Sequence, residues 1–340
     1  VRIVIAALVA GALLASVPGC GGGGTDTESV AATQARERRR QEREELHLHK
    51  LEIKLQKEKE RQVIEEQHAK LQAATREAEE PPTKAGGSAP SQLSGFSRLE
   101  ASLPGAVGVA IGPPGSPPAA TAGNLTVGSA WSTSKVPVVM RVLQETGGPA
   151  GLSATQSDEV RRALTLSDNE AALALFGDLE ASHGGAEGAA AAVDEVLAEA
   201  GDTATRVSSV GREGFTPFGQ TEWSVALQEQ FMSMLSADCV GSPESAEYVL
   251  GLMGEVSSDS WGLGSAGVPA RWKGGWGPGT DGRYLVRQMG ILEVGGGEAV
   301  VALAALPDDG SFETGQSMAT SLAQFLAEKA PQYAASPSGC

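Results

Sequence analysis

Ser132-Thr133-Ser134-Lys135-Val136-Pro137-Val138-Val139-Met140-Arg141-Val142-Leu143 is the stretch on which the reading of this chain turns. From Lys135 to Leu143 it is apolar and of helical length, so the polar residues leading into it open a helix. Residues i and i+3 of a helix share a face, which puts Lys135 within reach of Ser132 Oγ. Serine is a poor nucleophile until a base takes its proton, and a lysine serves as that base when burial or a nearby positive charge lowers its pKa. The free N–H groups of a helix N-terminus also point towards a developing oxyanion. S-x-x-K by itself is a weak signal that many chains contain by chance.

Two other short stretches carry polar groups of the same kind. Ser167-Asp168-Asn169 falls in a break between expected helices at 157–166 and 170–179, where the plain reading is a helix N-cap. Lys273-Gly274-Gly275-Trp276 follows the strand-like Ala270-Arg271-Trp272, and alone is a glycine-rich turn with a lysine. Residues 95–340 contain three lysines (Lys135, Lys273, Lys329) and one histidine, His183, in a Gly/Ala-rich stretch read as a loop. That scarcity disfavours a His-rich metal site and a Ser-His-Asp triad.

Taken together and in this order, the three stretches resemble the S-x-x-K, S-D-N and K-[TS]-G motifs of the penicillin-recognising serine hydrolases: class A β-lactamases, DD-peptidases and penicillin-binding proteins. The resemblance covers nearly all of residues 97–330. It implies a β-lactamase/transpeptidase-like fold and acyl transfer through Ser132, with Lys135 as proton acceptor. It also implies that Ser167 shuttles a proton to the leaving group beside Lys273, and that Asn169 holds Lys135 and the substrate amide. Asp168 would be structural. The oxyanion would be held by the N–H groups of Ser132 and Trp276, next to Gly275. The implied substrate is a β-lactam or a cell-wall peptide, and neither metal nor organic cofactor is implied.

Three departures qualify that expectation. Gly274 stands where the family has a Ser/Thr hydroxyl that helps bind the substrate carboxylate. Ser132 and Ser167 are only 35 residues apart, so the segment between the first two motifs is short. The region Thr205–Pro217 lacks the E-x-x-L-N pattern carrying the deacylating glutamate of class A enzymes, and Glu213 is its only carboxylate. An acyl-enzyme is therefore expected to persist. Arg271 shares a strand face with Lys273 and is a candidate to supply the carboxylate binding lost at Gly274. The alternative from another class is a catalytically inactive module of this fold that acts in the cell envelope as an interaction or scaffolding protein.

Periodicity predicts strands at 106–111, 119–128, 268–272, 284–292 and 299–306, with helices at 135–143, 157–166, 170–179, 189–200, 221–235 and 314–328. Strands from both chain ends must then meet in one sheet. This is an α+β (α/β/α sandwich) architecture, an antiparallel five-stranded sheet covered by helices.

The 340-residue chain has a net charge of −16, and all of it belongs to residues 95–340, which hold 12 basic and 28 acidic residues. Such a balance argues against nucleic acid as a partner. Ahead of the domain, residues 1–20 read as a lipoprotein signal peptide: Arg2, an apolar run, then Val17-Pro18-Gly19-Cys20, which resembles a lipobox. The other reading is an ordinary signal peptide with a coincidental cysteine. Lipidated Cys20 would anchor the protein to the membrane outside the cytoplasm, with residues 21–33 as a tether. Residues 34–80 hold 12 Lys/Arg and 12 Glu with no Gly or Pro, and predict a long charged helix. It serves as a stalk, either alone or self-associated in a weak coiled coil. Pro81-Pro82 ends it, 81–96 is a linker, and the domain is expected over 97–340. Two other cysteines, Cys239 and Cys340, are candidates for a disulfide outside the cytoplasm, the alternative being two free thiols.

Overall fold

The computed structural model describes residues 93–337 and Gly339. The signal peptide, Cys20, the tether and the stalk lie outside the described residues, as does Cys340. Leu93 and Phe96 are buried, so the folded body already includes residues ahead of Ser97.

The elements in chain order are α1 (Phe96–Glu100), β1 (Gly105–Gly112), β2 (Ala120–Gly123), β3 (Val127–Ser129), a 3₁₀ turn (Trp131–Ser134), α2 (Lys135–Thr146), α3 (Ala154–Thr165), α4 (Asn169–His183) and α5 (Ala186–Glu199). There follow β4 (Glu222–Ser224), α6 (Val225–Ser236), α7 (Pro243–Met253), β5 (Ala270–Pro278), β6 (Tyr284–Val294), β7 (Gly297–Pro307) and α8 (Phe312–Lys329). The main sheet runs β2-β1-β7-β6-β5 and every neighbouring pair is antiparallel. β1 pairs with β7, so strands from the two ends of the domain do meet, as the sequence predicts.

Alternation along the strands explains the layers. Val107, Val109 and Ile111 of β1 and Val301, Leu303 and Ala305 of β7 face one side, where Met318, Leu322 and Leu326 of α8 cover them. Ala110, Val300, Ala302 and Ala304 face the other side and join a larger core with α2 and α4–α7. The outcome is a three-layer α/β/α body with β5 as an edge strand. Gly295 and Gly296, both at positive φ, close the β6–β7 hairpin at the turn that requires them.

Local differences from the sequence reading have physical causes. The expected strand over 119–128 is two strands in different sheets. The chain bends at Gly123 (φ +100), where a Cβ would lie 2.1 Å from Val107 O, and β3 pairs with β4 instead. Helix α7 is absent from the sequence reading although it carries start signals: Ser242 caps Ser245 N–H and Pro243 sits in its first turn. His183 is the last residue of α4 and not a loop residue, and its Nε2 contacts Glu145 Oε1.

Candidate active site

The turn bearing Ser132 is 3₁₀, not α, and α2 begins only at Lys135. In a 3₁₀ turn residues i and i+3 eclipse, so Ser132 and Lys135 still project to the same side. Trp131 sits immediately before the serine at φ 50, a left-handed conformation that is costly for a bulky side chain. The first N–H groups of this turn, that of Ser132 among them, have no intrahelical acceptor.

Beneath the turn runs a buried polar chain that the sequence reading missed. Thr133 Oγ1 donates to Ala130 O and accepts from Gln228 Nε2 at 2.6 Å. Gln228 Oε1 in turn accepts from Arg287 Nε and Nη2 at 3.0 and 2.8 Å. Arg287, fully buried on β6, also donates to Gly128 O and Trp223 O, tying the small β3–β4 sheet to the main one. Burial pulls its pKa down to about 10, which leaves it charged at neutral pH.

The second motif serves both readings at once. Asp168 is the N-cap of α4, accepting from Glu170 and Ala171 N–H at 2.9 and 3.2 Å and pairing with Arg162. The Ala171 N–H, together with Arg162, holds the Asp168 carboxyl below the usual range. On either side of the cap, Ser167 and Asn169 turn into the site. Ser167 has φ 57. Its carbonyl accepts from Lys135 Nζ at 2.5 Å and its hydroxyl from Lys273 Nζ at 2.8 Å. Asn169 Oδ1 accepts from Lys135 Nζ at 2.8 Å. Lys273 also donates to Gly274 O at 2.8 Å.

The structure therefore brings Lys135, Ser167, Asn169 and Lys273 into one hydrogen-bonded cluster with Ser132 above it. Lys135 Nζ is bonded to Ser167 and Asn169, and no hydrogen bond joins it to Ser132 Oγ among the described residues. Both lysines are fully buried. Burial first, and Lys273 second, lower the Lys135 pKa to about 6. Burial lowers that of Lys273 to about 8, against the raising effect of Asp259. A neutral amine has two N–H bonds and one lone pair. Ser167 O and Asn169 Oδ1 accept from those two N–H bonds of Lys135, and Ser167 Oγ lies 3.4 Å from the same nitrogen, whose lone pair can accept from that hydroxyl or receive a proton.

Gly275 is required by close packing: a Cβ there would lie 2.8 Å from Ala130 O and 2.9 Å from Ser132 N. This places β5 directly against the serine turn, with Trp276 next along the strand. The space for a side chain at Gly274 is taken by Asp259, whose Oδ2 is 2.0 Å from the Cβ position. Asp259 is buried and accepts from Ser258 Oγ at 2.8 Å, and nothing in the sequence reading pointed to it.

Above the cluster lies a cleft of about 200 Å³. Ser132 and Asn169 form its floor, and Trp131, Phe215, Trp276 and Tyr284 its walls. Trp276 and Tyr284 lean on Phe312 of α8, each with ring centroids 5.6 Å apart from it. The loop from 201 to 221 is pegged at several points. Asp202 accepts from Thr205 N and from Trp223 Nε1, and Asp194 Oδ1 accepts from Val207 N at 2.7 Å. Arg212 lies over the Phe215 ring, 4.5 Å from its centroid, and donates to Pro278 O.

Two other predicted site residues are placed elsewhere. Glu213 is exposed and is not among the residues lining the cleft. Arg271 shares the Lys273 face of β5 but is held by Glu298. Glu293 Oε1 lies 3.2 Å from its Nε, close enough for charge pairing though not aligned as a hydrogen bond. Cys239 is disulfide-bonded. Gly339 lies near Ala237 O, which brings the C-terminal tail alongside that cysteine. Among the described residues, no group of three or more His, Cys, Asp or Glu is placed to hold a metal ion.

Comparison with solved structures gives the same fold. An ancestral (GNCA) class A β-lactamase matches with a TM-score of 0.55 and 20% identity, over 70% of this chain and 100% of its own. The fold is that of the penicillin-recognising serine hydrolases. A class A β-lactamase from Mycobacterium abscessus matches at TM-score 0.55 and 18% identity, over 69% of this chain and 97% of its own. PBP-A matches at 0.53 and 16%, over 70% and 97%. No protein-family model matches the chain, and no curated protein does.

Proposed function

We propose that this protein is a serine hydrolase of the Ser–Lys type that forms an acyl-enzyme at Ser132 with a β-lactam or a cell-wall peptide. The observation that carries the reading is the pair of buried lysines flanking Ser167. Lys135, at about 6, is mostly a free amine at neutral pH, whereas Lys273, at about 8, keeps its proton. Two like groups whose environments push their pKa values apart are suited to act as base and acid of one reaction.

In this mechanism Ser132 Oγ attacks the carbonyl carbon and its proton passes to Lys135 Nζ. The oxyanion is held by the N–H groups of Ser132 and Trp276. The carbonyl bond to the leaving nitrogen or oxygen then breaks. That atom takes a proton from Ser167 Oγ, which is replenished from Lys273. Asn169, its Oδ1 engaged by Lys135, has its amide N–H₂ for the substrate. No carboxylate lines the cleft among the described residues. Deacylation therefore lacks a carboxylate base, and the acyl-enzyme persists.

A labelled penicillin and a chromogenic ester, each incubated with the full chain beside Ser132→Ala, test this. A long-lived adduct on Ser132 with slow turnover is the expected result. Rapid turnover without accumulation overturns the persistent-intermediate reading, and a folded protein inert to both overturns acyl transfer. The disulfide at Cys239 supports the same protein working outside the cytoplasm, held there through lipidated Cys20. Incorporation of labelled palmitate, lost in Cys20→Ala, checks that anchoring.

A further inference from the structure

The cleft above Ser132 is built over charged groups, yet none of its lining side chains carries a charge. The two lysines beneath it are fully buried and neither lines the cleft; Lys135 Nζ donates to Ser167 O and Asn169 Oδ1, and Lys273 Nζ to Ser167 Oγ and Gly274 O. Asp259 offsets them. Its carboxylate fills the side-chain space at Gly274, one residue from Lys273, and acts on the charges of both lysines. The guanidinium nearest the cleft, Arg212, donates to Pro278 O and Gln220 Oε1 and lies against the rings of Trp131 and Phe215. Arg271 is taken by Glu298 and Glu293, and Arg283 by Asp281.

We infer that, among such acyl donors, the site acylates faster on neutral ones: β-lactams, esters or amides that carry no carboxylate beside the scissile bond, with an apolar or aromatic group for the Trp131–Phe215–Trp276–Tyr284 walls. An anionic donor entering this cleft loses its hydration and meets no charged side chain lining it among the described residues. Asp259 offsets the Lys273 charge beneath the cleft, and the domain around it carries a net charge of −16. A neutral donor loses little on entry and gains the aromatic surface. The inference rests on Ser132 being the nucleophile, as proposed above.

Benzylpenicillin and its methyl ester form a matched pair, presenting the same lactam with and without the carboxylate. The rate of Ser132 acylation by each is followed by mass spectrometry on the full chain, with a neutral fluorophosphonate as a check on the serine itself. The ester is expected to acylate at least about tenfold faster than the acid. Asp259→Asn, which keeps the shape and removes the charge, is expected to narrow that ratio severalfold by raising the rate with the acid. An acid that reacts as fast as the ester overturns the inference and leaves the acyl-transfer reading standing. So does a Ser132 that takes the fluorophosphonate but not the ester. A folded protein whose Ser132 takes none of the three overturns the acyl-transfer reading itself, and this inference with it.

Discussion

The floor of the cleft and its walls are made in different ways. On and beneath the floor, Lys135, Lys273, Ser167 and Asn169 sit at the ends of helices or in mid-strand and hold one another by hydrogen bonds. The walls are aromatic rings from a loop, a strand end and the serine turn, steadied by ring contacts and a stacked arginine. The floor is furnished for forming an acyl-enzyme. The walls bring no carboxylate to hydrolyse it and no free cation to greet an anion. On the proposed reading, the difference teaches that the parts that form an acyl-enzyme and the parts that would hydrolyse it are held by separate regions of the fold. The polar cluster is carried by helix ends and a strand, whereas the cleft walls come from a loop, a strand end and the serine turn.

The largest effect is expected on the floor. Lys135→Met removes the base while keeping the volume, and should slow Ser132 acylation about a thousandfold. In the unaltered protein the acylation rate should rise with pH through about 6, as Lys135 loses its proton. It should fall above about 8, as Lys273 loses its own. A rate that stays flat from pH 5 to 9 would contradict both assignments.

Next comes the seam between floor and wall. Gly275→Ala sets a methyl group against Ala130 O and Ser132 N, so the backbone must part where the oxyanion is held. Acylation should drop about a hundredfold, the scale of a displacement near 1 Å at a reacting centre. Gln228→Ala cuts the chain from Arg287 to Thr133 beneath the turn. A loss of about 2–3 kcal/mol in unfolding free energy is expected, since the hydrogen bonds lost are to a buried charge. Denaturant unfolding measures it.

Floor and seam were unequally legible in the sequence. Ser132, Lys135, Ser167, Asn169 and Lys273 stand out because their chemistry demands particular residues at short, fixed spacings, and because lysine is scarce in this domain. The five-stranded sheet was legible from the apolar, β-branched runs of β1 and β7, bounded by Gly and Pro, and from β6 beside a glycine-rich turn. Asp259, Gln228, Thr133 and Arg287 were not, since each is a single polar residue whose partner is supplied by a remote segment. Gln228 and Thr133, for instance, are 95 positions apart. Arg271 shows the converse. Its face was read correctly, but the two glutamates that occupy it lie on β6 and β7.

The smallest effect lies outside the cleft lining and serves as a contrast to both regions. Glu229 on α6 is fully buried with neither oxygen bonded among the described residues, and burial raises its pKa well above the ordinary value. A folded-state pKa above the unfolded one means that no stability is lost at pH below about 4.5. Stability is then lost progressively as pH rises towards the folded value. Glu229→Gln should remove that slope and gain on the order of 1 kcal/mol at neutral pH, the size of an ordinary single substitution. Thermal unfolding at pH 4 and pH 8 compares them, and acylation of Ser132 should be unchanged.

The most direct test of the Ser132–Lys135 assignment is peptide mapping of the full chain after reaction with a fluorophosphonate at neutral pH. The account predicts one adduct, on Ser132, formed at least a hundredfold more slowly in folded Lys135→Met. An adduct on another residue, or one on Ser132 that forms equally fast without Lys135, would contradict it.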